Sequence, residues 1–368
     1  MSETPGLTSP QPPNRKPDGP LRKGWTTGAC AAAGAKAALI RLVDGLFPDS
    51  VTIRLPKGQT PTFFLAETAA GEGWAEVGIT KDAGDDPDVT HGALIKTRVE
   101  RMQMGTGLRF AAGEGVGTVT KPGLPIPPGE PAINPGPRAI IREALDSVDG
   151  AIPDLKVTVS IPGGEALARK TLNGRLGILG GLSVLGTTGI VQPFSCAAWI
   201  ASIHRGIDVA RAEGLDHVAA CTGSTSERAV TQVLQLPESA LLDMGDFAGG
   251  TLKYLRDHPI GRLTIAGGFA KLAKLARGDL DLHSSRSRVD HDFLASLIDV
   301  PSCAEAVRGA NTAMEALGLA EASGEPLADR IADRARGQSL DVLRDNGMTV
   351  EVLVVDREGR IVGRSAEA

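Results

Sequence analysis

Apolar positions change their spacing along this chain, and the change divides it. Over 26–43 alanine, leucine, isoleucine and valine follow one another with only Lys36 and Arg41 charged, which predicts a helix. Short runs such as "VTIRLP" and "TFFLAE" then read as strands. The stretch 73–102 predicts a strand, an acidic Gly/Asp/Pro loop ("DAGDDPD", read as a solvated turn) and a longer strand. Two short strands and a Pro-rich loop come next, followed by a helix over 137–147 and a strand in "LKVTVSIPGG". Strands in runs with few helices between them indicate an α+β arrangement.

Beyond about residue 190 the pattern alters. "PFSCAAWIASIHRGIDVARAEG" has helical periodicity and stops at Gly214. "HVAACTG" is an apolar strand running into a Thr/Gly/Ser turn and a helix from about residue 226. "SALLDMGDFAGGTLKYLRDH" and "GRLTIAGGFAKLAKLARG" repeat the plan of strand, glycine turn and helix. Repetition of that unit implies crossovers and a parallel sheet. Helices dominate 290–346, and "MTVEVLVVDREGRIVGRS" closes with a strand or hairpin. The expected fold class is therefore α/β: an N-terminal α+β domain, 21–190, followed by a C-terminal domain, 191–368, with a mostly parallel, Rossmann-like sheet. Residues 1–20, rich in Pro, Ser and charge without an apolar core, read as a disordered leader rather than a targeting peptide.

Composition narrows the function. A net charge of −5 and a single tyrosine argue against nucleic-acid binding, which favours a basic excess and stacking aromatics. No apolar run approaches the roughly 20 residues of a membrane span. Four cysteines, Cys30, Cys196, Cys221 and Cys303, lie far apart with no CxxC pair, so neither a zinc site nor a disulfide framework is expected. Reduced thiols and a cytoplasmic location fit best. Many of the forty-six glycines fall in short clusters, which suggests tight loops and close backbone approaches.

Four stretches carry candidate chemistry. In "RKGWTTGACAAAGAKAAL", Thr26, Thr27 and Gly28 precede a helix whose free N–H groups and positive dipole end suit an anion, with Arg22 and Lys23 alongside. A simple threonine cap explains the same residues equally well. Thr-Thr-Gly recurs at Thr187, Thr188 and Gly189, after a glycine loop (Gly177, Gly180, Gly181, Gly186) flanked by Arg169, Lys170 and Arg175. That loop offers little side-chain bulk, as close approach to a large ligand requires. In "GEPAINPGPRAIIREAL", Asn134 and Arg138 sit at a Pro-fixed helix start, with Arg142 one turn on. Lastly, ligands of parallel sheets lie outside the carboxyl ends of the strands. Thr222, Gly223, Ser224 and Glu227 stand at one such end, Gly245 and Asp246 at the next, and Gly267 and Gly268 at the third. Lys271 and Lys274 could face one ligand from the helix that follows, and His283 with Ser284 could move a proton. No Ser-His-Asp order or metal-spaced histidine cluster is present.

Taken together, "LRKGWTTGACAAAGAKAAL", "GEGVGTVTKPGLPIPPGEPAINPGPRAII", "VSIPGGEALARKTLNGRLGILGGLSVLGTTGIVQPFS", "CTGSTSE" and "GGFAKLAKLARGDLDLHS" closely resemble the CbiD-type cobalt-precorrin-5B C(1)-methyltransferases of cobalamin biosynthesis. The resemblance covers most of the chain outside the leader and the C-terminal region. It implies methyl transfer from S-adenosyl-L-methionine to ring carbon 1 of a corrin precursor, on a fold unlike that of the usual tetrapyrrole methylases. Trp25 stands where the family often has tyrosine. "GGFAKLAK" stands where it usually has Gly-His-x-x-Lys, so no general base is assigned there and the catalytic residue is left open.

Physical reading and resemblance converge on a polycarboxylate macrocycle, which needs basic groups, backbone donors and glycine clearance. The substrate set expected from this is Arg22, Lys23, Thr26, Thr27, Gly28, Asn134, Arg138, Arg169, Lys170, Arg175, Thr187, Thr188, Gly189 and Lys271. The expected methyl-donor set is Thr222, Gly223, Ser224, Glu227, Gly245, Asp246, Gly267 and Gly268. Neighbouring enzymes of the pathway are further expected partners. A corrinoid carrier without chemistry of its own is the competing reading; it would have no need of adenosylmethionine.

Overall fold

The computed structural model describes residues 19–344 and 346–366; the expected leader falls outside them except for its last two residues. The chain is a mixed α/β protein of two compact units. One takes the chain to Thr120 together with Pro128–Ser195, and the other takes Lys121–Pro127 together with Cys196–Ala368. Lys121–Pro127 thus leaves the first unit: Lys121 Nζ meets Glu213 at 3.0 Å, and a Cβ on Gly123 would lie 2.6 Å from the Asp208 carbonyl oxygen.

In the first unit a five-stranded sheet runs in the order Glu67–Gly71, Trp74–Thr80, Leu94–Arg101, Leu155–Ser160, Arg109–Ala112. All pairs are antiparallel except the last. Alternation is clear in Leu155–Ser160, where Leu155, Val157 and Val159 point into the core. The helix Thr27–Asp44 covers the sheet, and its many alanines are fully buried. Small side chains let its backbone come close: a Cβ on Gly34 would stand 3.0 Å from Thr97 Oγ1. Pro135–Asp146 packs beside it, starting two residues earlier than the periodicity predicts because Asn134 occupies the cap position.

The second unit holds the mostly parallel sheet. Its order is Leu241–Asp243, His217–Cys221, Arg262–Gly268, Thr349–Val355, Ile361–Arg364, parallel throughout except for the antiparallel last strand. Helices Ser224–Leu234, Ala248–Asp257 and Phe269–Arg277 follow the first three strands in chain order. The apolar runs of these strands are buried because helices cover a parallel sheet on both faces. Each buried leucine or isoleucine contributes about 1.5–3 kcal/mol relative to exposure. The helical region resolves into His291–Ser296, Pro301–Arg308, Ala313–Ala322 and Leu327–Leu343.

Candidate functional site

Three segments distant in sequence meet in the first unit. Thr26 caps the helix Thr27–Asp44, its Oγ1 accepting from Ala29 N at 3.2 Å. Gly24 and Trp25 pair antiparallel with Val191 and Ile190, and Thr26 N donates to Gly189 O at 3.0 Å. Asn134 N donates to Val184 O at 3.1 Å, and a Cβ on Gly136 would lie 2.9 Å from Thr187 Cα. Both Thr-Thr-Gly turns and the Pro-fixed helix start therefore form one cluster. The side chain of Asn134 makes no cap bond despite its cap position.

Two expectations about this cluster need correction. The helix N-terminus is not open to an anion in the way the sequence suggests, because Gly28 N donates to Leu185 O at 3.3 Å and Ala29 N is held by Thr26. Two of the loop's glycines, and Gly189 beyond it, are likewise used against protein. A Cβ on Gly181 would lie 2.3 Å from Gly115 backbone, one on Gly186 2.4 Å from Thr26 Oγ1, and one on Gly189 2.5 Å from Leu55 Cδ2. Gly180 of that loop, on an exposed turn, has open space around it. Exposed leucines flank it: Leu179 is 55% and Leu185 51% accessible.

The basic residues separate by role. Arg22 pairs with Asp82, NH2 to Oδ1 at 2.9 Å, and its backbone N–H donates to Asp85 at 2.6 Å. Lys23 beside it is exposed. Arg138 turns back on its own loop, with Nε donating to Ile133 O at 2.8 Å, NH2 to Glu130 at 3.1 Å, and its guanidinium 5.2 Å from the Phe110 ring centre. It shapes the turn rather than pointing outward. Arg142 is exposed on the following turn. Arg169 and Lys170 stand exposed just after the helix Gly164–Ala168, Arg169 at 3.6 Å from Glu165, and Arg175 is half-buried further on. Thr187 is exposed, while Thr188 Oγ1 accepts from Ile190 N at 3.3 Å.

The acidic loop, expected to be a solvated turn, is a hub instead. Asp82 holds Arg22, Asp86 accepts from Phe194 N at 2.8 Å, and Asp88 pairs with Lys81, whose side chain is 1% exposed. Lys81 Nζ also donates to Thr90 Oγ1 at 2.6 Å. Burial pushes the Asp88 carboxyl up, but the Lys81 ammonium and the hydrogen bonds from Thr90 together outweigh it and the net shift is downward. Neighbouring Cys30 is buried among apolar groups, which pushes its thiol up to about 12 and leaves it inert. Lys81 carries no motif; only its position next to a run of aspartates could have flagged it.

In the second unit, the strand order reverses between His217–Cys221 and Arg262–Gly268. This is the topological switch point, where open parallel sheets bind ligands. Thr222, Gly223, Gly267 and Gly268 lie at its carboxyl end. Thr222 N donates to Ala266 O at 2.9 Å, and a Cβ on Gly267 would sit 2.7 Å from the Thr222 side chain, so these two fix the strand ends together. Gly223 and Gly268 have open space where a Cβ would be. Ser224 opens the following helix, and Glu227 N donates to Gly223 O at 3.0 Å within its first turn. Gly245 and Asp246 follow the edge strand, with Gly245 in the left-handed region at φ +57.

Lys271, expected to bind substrate, belongs with this second group. Its Nζ donates to Thr222 O at 2.9 Å and lies 3.0 Å from Asp246 Oδ1. That carboxylate oxygen is buried and off the line of any hydrogen bond, so it has charge compensation without an aligned donor. Lys274 does not join Lys271: it is buried, donating to Leu282 O at 2.9 Å, because the helix Phe269–Arg277 turns that face to the core. His283 Nδ1 meets Ser285 Oγ at 2.7 Å rather than Ser284. A separate recess of about 610 Å³ opens at the opposite end of the sheet, lined by Asp208, Arg211, Asp216 and Gly261 among others. It collects none of the predicted residues. Among the described residues no cluster of His, Cys, Asp and Glu could hold a metal, and no helix is long and apolar enough to cross a membrane.

Several known proteins and family profiles match this chain. The family profile described as CbiD matches residues 14–193, and that described as CbiD, C-terminal domain, matches residues 281–366. A protein of Brucella anthropi named cobalt-precorrin-5B C(1)-methyltransferase is 58% identical over 351 residues, 94% of this chain and 95% of that protein. One of the same name from a Bradyrhizobium species is 56% identical over 352 residues, 94% of each. A crystal structure of a cobalamin biosynthesis protein (cbiD) from Archaeoglobus fulgidus is 28% identical, covering 73% of this chain and 84% of that one, with a TM-score of 0.40.

Proposed function

The chain belongs to the CbiD family, and from that premise we propose that it transfers a methyl group from S-adenosyl-L-methionine to ring carbon 1 of cobalt-precorrin-5B. The product is cobalt-precorrin-6A, and the reaction is a step of cobalamin biosynthesis. The observation that carries this reading is near-full-length identity of 58% to a protein bearing that name.

The geometry supports a division of labour. The methyl donor fits the switch point of the Rossmann-like sheet: Gly223 and Gly268 leave room at the strand ends, and Asp246 keeps a buried oxygen without an aligned donor. Thr222, Gly223, Ser224, Glu227, Gly245, Asp246, Gly267 and Gly268 would hold it, with Lys271 paired to Asp246. When bound, the donor supplies a methyl group activated by a sulfonium leaving group.

The macrocycle's carboxylates fit the first unit. Lys23, Arg169 and Lys170 offer exposed charge, and the half-buried Arg175 follows in the same loop as the last two. The Asn134 amide and the Thr187 hydroxyl add donors beside the two Thr-Thr-Gly turns, and Leu179 and Leu185 offer apolar surface to the ring. Arg22, Thr26, Thr27, Gly28, Arg138, Thr188 and Gly189 hold that cluster in shape. The protein's contribution to rate is alignment, since a well-placed nucleophile and electrophile gain several kcal/mol from positioning, on the order of 7–11 at most. Nothing in the reading requires a membrane or a nucleic acid; the cytoplasm, where neighbouring pathway enzymes could supply and take the corrinoid, suits it.

The test is incubation of purified protein with cobalt-precorrin-5B and methyl-labelled S-adenosyl-L-methionine. Label in the corrinoid with equimolar S-adenosylhomocysteine is expected. Folded protein that binds the corrinoid yet transfers no label would replace the methyltransferase with a carrier.

A further inference from the structure

Resting on the reading that the strand ends take S-adenosyl-L-methionine, we propose that Trp199 is the stacking platform for its adenine ring. Nothing in the sequence singles this residue out. It lies in the first turn of the helix Cys196–Ala212, where an indole would ordinarily be taken for core.

Its setting is unlike that of the other two tryptophans. Trp25 packs edge-on against Phe63, with ring centres 5.9 Å apart, and Trp74 lies under the Arg98 guanidinium at 3.9 Å. Trp199 remains 46% exposed. That leaves part of a large π surface open to a planar ligand. It is also held still. Its Nε1 donates to Asp243 O at 3.0 Å, the last residue of the edge strand Leu241–Asp243. Gly245 lies beside the ring, where a Cβ would stand 3.5 Å from Cζ2. Phe247 flanks it, with ring centres 6.1 Å apart and planes inclined by 46°.

The sheet order says what this rigid face is for. Leu241–Asp243 neighbours His217–Cys221 on the side away from Arg262–Gly268. A nucleoside whose polar end sits at Gly223 and leans toward the edge strand meets the turn 244–247 next. The turn carries no side chain at Gly245, and the ring beside it is Trp199. A planar, uncharged heterocycle is the chemistry that fits: stacking needs a π face and accepts any base. A fixed indole also costs little further ordering on binding.

Calorimetry and tryptophan fluorescence of the full chain with S-adenosylhomocysteine test this without turnover. Wild type is expected to bind with fluorescence quenching. Trp199→Ala is expected to bind roughly ten-fold more weakly or worse, and Trp199→Phe to bind within a few-fold while losing the quench. Methylthioadenosine should show the same dependence on residue 199. If Trp199→Ala fails to fold, as judged by circular dichroism, the quench and its loss in Trp199→Phe decide the matter. Equal affinity of Trp199→Ala and wild type, or a quench that survives in Trp199→Phe, overturns the platform and leaves the donor site standing. Absence of binding by wild type overturns the donor site, and the platform with it.

Discussion

Gly186 lies directly against Thr26: a Cβ at position 186 would stand 2.4 Å from the threonine hydroxyl oxygen and 2.5 Å from its Cβ. The contact joins the second Thr-Thr-Gly loop to the cap of the first helix, and it explains why a glycine at φ +116 is needed there.

Gly186→Ala is therefore expected to combine left-handed strain with a clash, and to cost roughly 2–5 kcal/mol. Gly180 has φ +82 but open space, so Gly180→Ala should cost only about 1–2 kcal/mol. Denaturant unfolding of both variants checks the difference; equal losses would mean that the contact with Thr26 is unimportant.

Thr26→Ala removes the side-chain acceptor for Ala29 N. A loss of about 1 kcal/mol is expected, with most of it restored by Thr26→Ser. If the cap also shapes the substrate cluster, Thr26→Ala raises KM for the corrinoid and leaves KM for the methyl donor unchanged. Steady-state kinetics with each substrate varied in turn separates these effects.

The two lysines of the helix Phe269–Arg277 should part company. Lys271→Met leaves Asp246 without its cation and is expected to weaken S-adenosylhomocysteine binding on the order of ten-fold, with little change in stability. Lys274→Ala leaves the Leu282 carbonyl without its donor and opens a gap in the core, costing about 1–3 kcal/mol while affinity holds. Calorimetric titration and thermal melts on the same preparations reveal whether the roles are reversed.

Acid should act on Asp82. The hydrogen bond from the Arg22 guanidinium, helped by Gly84 N–H, holds its carboxyl down at about 2. A carboxylate depressed in the folded state stabilises above its unfolded pKa of about 3.9 and loses that contribution as pH falls toward the folded value. The stability gap between wild type and Asp82→Asn should stay level from neutrality to about pH 4.5, then close between about 4 and about 2. Urea midpoints across that range measure it, and a gap independent of pH would remove Arg22 as the cause.

Local pattern in the sequence determined the elements and much of their grouping. An alanine-rich run with two charged residues predicted a helix, and one stands at Thr27–Asp44. Three units of strand, glycine turn and helix implied parallel strands with ligand-facing turns, and Thr222, Gly223, Gly267 and Gly268 do stand together at a switch point. Only the tertiary structure decided which partner each turn meets. Periodicity is a property of neighbours along the chain, whereas the bond from Gly28 N to Leu185 O joins segments far apart in sequence, whose meeting no local pattern encodes. For the same reason spacing made Lys271 and Lys274 look alike, until the packing of their helix buried one and turned the other to Asp246. The aspartate loop read as solvent-facing because charge predicts hydration when its partners are unknown. Arg22 and the Phe194 amide, from other parts of the fold, and the adjoining Lys81, whose side chain the packing buries, are those partners.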